Sequence, residues 1–177
     1  SEYLYDHLLL NDGKGNFKLS DQRLPASGEK TSTGAIAFHD INQDGHPDIF
    51  AGERIKIGKF GMPGSGYLLM NDGKGNFSNH TEQLAPELKN IGMITDAAFA
   101  NLDADDSPEL IIVGEFMPIQ VFKWNGQQYK KTNLNANVPI RGWWNTIELA
   151  DIDQDGDLDI LAGNLGENSR FKASTNN

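Results

Sequence analysis

The stretch DINQDGHPDIFAG, residues 40–52, returns as DIDQDGDLDILAG at 151–163, and a looser copy, NLDADDSPELIIVG, occupies 101–114. The three windows begin at Asp40, Asn101 and Asp151, 61 and 50 residues apart. A second phrase recurs letter for letter: NDGKGNF stands at 11–17 and again at 71–77. An ordinary globular sequence does not spell seven residues twice, so the chain is built from repeated units.

Each acidic window is flanked by short apolar runs of strand character. In the best-defined unit these are GAIAFHD (34–40), PDIFAGE (47–53), GYLLMN (66–71) and FSNHTEQL (77–84), here called strands A to D. The acidic loop joins A to B, and NDGKGNF joins C to D. Its glycines supply the positive φ of a tight reversal, while Asn and Asp bond the turn backbone. It lacks the Lys-Ser/Thr of a phosphate loop and no helical pattern follows it. In the next unit WNGQQY (124–129) takes its place. Four-stranded units of about 40 to 60 residues point to propeller blades. The expected fold class is all-β, with blades of four antiparallel strands forming a partial β-propeller of about three blades' worth across 1–177. The parts are a C–D hairpin at 3–20, blades at 33–90 and 92–137, and A–B strands of a further blade at 143–164. Helix is expected only weakly around TEQLAPELKN, where Pro86 interrupts it.

Composition narrows the function. The formal net charge is −10, with 25 Asp and Glu against 15 Lys and Arg, which argues against nucleic acid because phosphate neutralisation needs a basic surface. No run of 18 apolar residues is present, so no membrane span is expected. With no Cys, disulfides and thiolate metal sites are excluded. Twelve of the 25 acids fall within 40–48, 101–109 and 151–159. Acids serving only solubility would be spread more evenly.

Their spacing is that of an oxygen cage. In the first loop Asp40, Asn42, Asp44 and Asp48 stand at positions 1, 3, 5 and 9, with Gly45 at 6 and the His46 carbonyl at 7. Ca²⁺ takes six to eight oxygens at about 2.3–2.6 Å, and this spacing curls the chain to deliver them. The third loop repeats the scheme with Asp151, Asp153, Asp155, Gly156, the Asp157 carbonyl and Asp159. The second has Asn101, Asp103, Asp105, the Ser107 carbonyl and Glu109, but Asp106 where Gly is expected, a residue that tolerates left-handed backbone less readily than Gly. One extra residue between Glu109 and Gly114 is expected to bulge strand B there. About three Ca²⁺ sites follow. The other reading of such loops is a metal-free turn in which carboxylates cap backbone amides.

These motifs resemble the FG-GAP (VCBS-type) repeat, the blade of the integrin α-subunit propeller and of many bacterial surface proteins. The stretches LLLNDGKGNF, GEFMPIQVF and GWWNTIELADIDQDGDLDILAGNLGENS look closer still to bacterial cell-envelope proteins related to cartilage acidic protein. The resemblance implies a propeller, calcium in the A–B loops, and adhesion or ligand binding in the extracellular space or cell envelope. It also implies more blades than this chain can make, so the chain is expected to be a piece of a larger protein.

With blades aligned, B–C and D–A loops lie opposite the acidic face. The loop RIKIGKFGMPGSG (54–66) brings Arg54, Lys56 and Lys59 without an acid, and VPIRGWWN (138–145) adds Arg141, Trp143 and Trp144. These six are candidates for binding an unidentified protein or glycan ligand. The alternative is that the tryptophans pack between blades while the basic loop is merely solvated. No paired carboxylates or nucleophile with base are apparent outside the acidic loops, so a non-catalytic module is the leading expectation and a polysaccharide-active lyase or hydrolase fragment the alternative. Unfinished blades at 3–20 and 143–164 leave strand edges, from which a homodimer of the isolated segment is expected.

Overall fold

The computed structural model of the chain describes residues 5–25, 31–103, 105, 107–132 and 141–166. Asp106 and residues 138–140 of the D–A segment lie outside the described residues. The fold is all-β, a set of antiparallel sheets stacked in chain order as partial propeller blades without closing into a barrel.

The first blade has the order β3 (Ser32–His39), β4 (Asp48–Ile55), β5 (Gly66–Asn71), β6 (Phe77–Asn79). It is preceded by the hairpin of β1 (Leu9–Asn11) and β2 (Phe17–Leu19). The second blade pairs β7 (Met93–Ala100), β8 (Glu109–Pro118), β9 (Gln120–Trp124) and β10 (Tyr129–Thr132) in sequence. Last come β11 (Arg141–Ala150) and β12 (Asp159–Asn164). Strand D of the first blade is shorter than its sequence pattern. After Asn79 the chain turns into a single helical turn, α1 (Thr81–Leu84), and a 3-10 turn at Pro86–Leu88. Pro86 has no N–H to continue α1, which is why the two are separate.

Strand alternation explains the stacking. In β4, Ile49 and Ala51 face the N-terminal segment, where Leu8 and Leu24 cover them, while Phe50 faces the second blade. In β8, Leu110 and Ile112 meet the first blade, whereas Ile111 and Val113 meet Trp144 and Ile147 of β11. Each central strand is therefore buried on both faces, and Leu110 to Val113 form an unbroken apolar run for that reason. Small residues in the A strands, Ala35, Ala37 and Ala97, let neighbouring blades approach.

The two copies of NDGKGNF fold alike. Asp12 Oδ1 accepts from Lys14 N–H at 2.8 Å and Asp72 Oδ1 from Lys74 N–H at 2.8 Å, and the Asn16 and Asn76 side chains donate to the same carboxylates, each at 2.8 Å. Gly13, Gly15, Gly73 and Gly75 all have positive φ. The expected bulge between Glu109 and Gly114 is not there. Strand β8 pairs with β7 without interruption from Glu109 to Val113, and the unpaired residue is Thr95 of β7. The same left-over residue occurs at Gly34 of β3 and Asn145 of β11. In register Val113 therefore matches Gly52, and Gly114 matches Glu53; aligning the glycines by sequence placed the irregularity on the wrong strand.

Candidate metal centre

The three acidic loops lie at one end of the blades, each between strand A and strand B. The position-9 carboxylate closes every loop by accepting the position-2 N–H. These bonds are Asp48 Oδ2 from Ile41 at 2.9 Å, Glu109 Oε2 from Leu102 at 2.8 Å, and Asp159 Oδ2 from Ile152 at 2.9 Å. The position-5 carboxylate accepts the N–H at position 7, from His46, Ser107 and Asp157 at 2.9, 2.8 and 3.0 Å. Position 1 differs. Asp40 and Asp151 accept the amides at positions 5 and 6, whereas the Asn101 side chain donates to the Asp105 carbonyl.

Gly45 and Gly156 take the expected positive φ, 86° and 98°. Sequence reasoning missed that position 4 does too: Gln43 has φ 58° and Gln154 has φ 64°. A left-handed residue at 4 and another at 6 curl each of these two loops back on itself.

In the third loop one oxygen each from Asp151, Asp153 and Asp159 lies within 4.8 Å of the others. With Ca²⁺–O distances of about 2.3–2.6 Å, oxygens across one ion stand up to about 5 Å apart, so this trio is spaced to share a cation. Asp103, Asp105 and Glu109 gather within the same limit in the second loop. The first loop keeps an all-oxygen donor set in Asp40, Asn42, Asp44 and Asp48, but the Asn42 amide donates to Asp44 Oδ2 at 2.8 Å. Asp48 is fully buried; burial pushes its carboxyl up, while the amides of Asn71 and Ile41 pull it the other way. The Asn71 amide donating to Asp48 Oδ1 at 2.8 Å ties the NDGKGNF hairpin to the loop.

The second loop holds a residue that the sequence pattern did not single out. Lys123 of β9 places its ammonium on Asp103, 2.9 Å from Asp105 and 3.8 Å from Glu109. Asp103 and then Asp105 push the lysine well above its usual range, and the lysine, with the Ser107 amide, holds Asp105 below the usual carboxylate range. A cleft of about 260 Å³ opens between the first and second loops, lined by His39, Asn42, Ser107, Trp124 and Tyr129.

At the opposite end the six ligand-surface candidates divide. Arg54 donates to Glu115 Oε1 from Nε at 2.9 Å and Nη2 at 2.5 Å. Lys56 donates to Asn90 Oδ1 at 2.7 Å, Lys59 and Arg141 are exposed, and Trp143 lies against Phe116 with centroids 4.7 Å apart. Trp144 turns inward: it is buried, with Nε1 donating to the Met117 carbonyl at 3.0 Å. Beside the lysines Ile57, Phe60 and Met62 are solvent-exposed. Glu53, buried, accepts the Ser65 N–H at 3.1 Å.

Among the described residues no helix is long and apolar enough to cross a membrane. No curated protein matches the chain significantly. The family model for the FG-GAP-like repeat matches residues 3–51, which contain the first acidic loop, and 101–162, which contain the second and third. Together these stretches make up more than half of the sequence, and the chain therefore belongs to the FG-GAP-like repeat family.

Proposed function

We propose that the chain is a calcium-binding segment of an FG-GAP propeller that acts as a non-catalytic adhesion or ligand-binding module in a secreted or cell-surface protein. The observation that carries this reading is the third loop, where three carboxylates within 4.8 Å of one another, Asp151, Asp153 and Asp159, share one exposed turn. Like charges so close raise each other's energy until a cation joins them. With only oxygen donors and no thiolate or imidazole, the chemistry favours a hard cation, and the loose, multi-ligand loop suits Ca²⁺ better than the rigid octahedron of Mg²⁺. The first loop offers the same donor types at the same spacing. Its metal would be held by Asp40, Asn42, Asp44, the His46 carbonyl and Asp48.

The metal's role in this reading is structural. It would lock the A–B loops and so fix the blade ends, leaving recognition to the opposite end. There Lys56, Lys59 and Arg141, with Ile57, Phe60 and Trp143, combine cationic and apolar surface suited to an acidic peptide or an anionic glycan. Calorimetric titration of chelator-treated protein with CaCl₂ tests the metal: saturable binding that Asp153→Ala weakens, and that MgCl₂ does not reproduce, is the expected result. Absence of heat with CaCl₂ would remove the reading.

A further inference from the structure

We infer that the cation of the second acidic loop is the protein's own Lys123, so that this loop is closed to calcium while its side chain is in place. The inference rests on the calcium reading of the other loops only for the comparison of stoichiometry; its own basis is the geometry of the second loop. Asp103, Asp105 and Glu109 converge there as the acids of the third loop do, but the Lys123 ammonium stands among them, bonded to Asp103, 2.9 Å from Asp105 and 3.8 Å from Glu109. Glu109 gives the second observation. Its side chain is 3% exposed, Oε2 accepts the Leu102 amide, and Oε1, buried, accepts no hydrogen bond. A buried carboxylate oxygen aimed into an acidic cluster needs a positive charge nearby, and the ammonium is the group within reach.

Strand register shows that the lysine is the departure from the repeat. Leu69 pairs with Ile49 in the first blade as Phe122 pairs with Leu110 in the second, so Lys123 occupies the place of Met70. Met70 carries no charge, and the first loop has no lysine on its carboxylates among the described residues. Asn101 at position 1 fits the same picture. Where Asp40 and Asp151 offer carboxylates, Asn101 offers an amide that donates inward to the Asp105 carbonyl. The second loop has three carboxylates at positions 3, 5 and 9, as many as the first loop has at 1, 5 and 9, but here an ammonium already stands among them, so the loop holds a cation without a divalent ion. A count of two calcium ions, not the three expected from the acidic spacing, follows for this chain.

Lys123→Met tests it, because the equivalent register position already carries Met in the first blade. Calcium stoichiometry is measured by titration calorimetry on the wild-type chain, Lys123→Met, Lys123→Arg and the double variant Lys123→Met with Asp105→Ala. The expected result is one additional site in Lys123→Met, no additional site in Lys123→Arg, and loss of the added site in the double variant. Without calcium Lys123→Met should melt below wild type, and calcium should raise its melting temperature by more than it raises that of wild type. An equal number of sites in wild type and Lys123→Met overturns the inference, whatever that number is. If wild type binds none while Lys123→Met binds one, the inference stands and the calcium reading of the other loops falls.

Discussion

At position 34 a side chain would have no room. A Cβ there would meet the Ile94 carbonyl oxygen and, at 2.7 Å, the Arg54 side chain, because β3 and β7 run side by side at the inner edge of adjacent blades. Gly34→Ala is predicted to destabilise the chain by about 1–3 kcal/mol, the usual cost of overpacking a close approach, measured as a lowered urea midpoint at unchanged slope. An unchanged midpoint would contradict the packing described. On the acidic face, Asp155→Ala is predicted to cost calcium affinity and Asp105→Ala to leave it unchanged in the wild-type background; the reverse order in calorimetry would contradict both the calcium reading and the role of Lys123. The acids themselves were legible from their spacing, since positions 1, 3, 5 and 9 with Gly at 6 are local in sequence. Lys123 was not, because it reaches the loop from twenty residues away across the sheet, and only the register of β8 and β9 brings it there.

The hairpin is the element most fully written in the sequence. NDGKGNF carries its glycines and its Asx bonds within seven residues, and both copies fold as the letters imply. The carboxyls of Asp12 and Asp72 are held below the usual 3.8, chiefly by the Asn16 and Asn76 side chains and then by backbone amides. A folded value below the unfolded one means that the turn's contribution is present above about pH 4 and is lost as pH falls through the depressed value. Carboxyl-detected NMR should place both midpoints below 3.8, and a midpoint at or above it would contradict the bonds described. Strand B of each blade was also readable as an apolar run, but which face meets which blade was not. Phe50, fully buried against the second blade, is the clearest case. Phe50→Ala is predicted to cost about 3–5 kcal/mol in chemical denaturation. The bulges at Gly34, Thr95 and Asn145 escaped the sequence because a left-over residue has no side-chain signature; it is set by pairing across the strands.

For the whole molecule, stacking leaves part of each outer face uncovered among the described residues. Ile36 and Phe38 of β3 are 51% and 63% exposed on one side, and Leu161 of β12 is 63% exposed on the other. A propeller face of this kind normally packs on another blade. Self-association of the isolated segment is therefore predicted, seen as a dimer by light scattering at micromolar concentration and weakened by Phe38→Ser; a monomer under those conditions would contradict it. The blade architecture was legible because repeated units announce themselves by period, whereas the end opposite the acidic loops was not. Its six candidates come from two distant loops, and Trp144 is drawn into the core by the apolar surface of Ile111 and Val113. The calcium proposed for the acidic loops would link these scales, since a metal bound only by folded loops adds its binding free energy to the stability of the fold. Thermal unfolding of the same sample in millimolar calcium and in excess chelator tests this most directly. A higher melting temperature is expected with calcium and a lower one with chelator, with loss of the difference in acid, where protonated carboxylates no longer hold the ion. Superimposable melting curves with calcium and with chelator at neutral pH would contradict it.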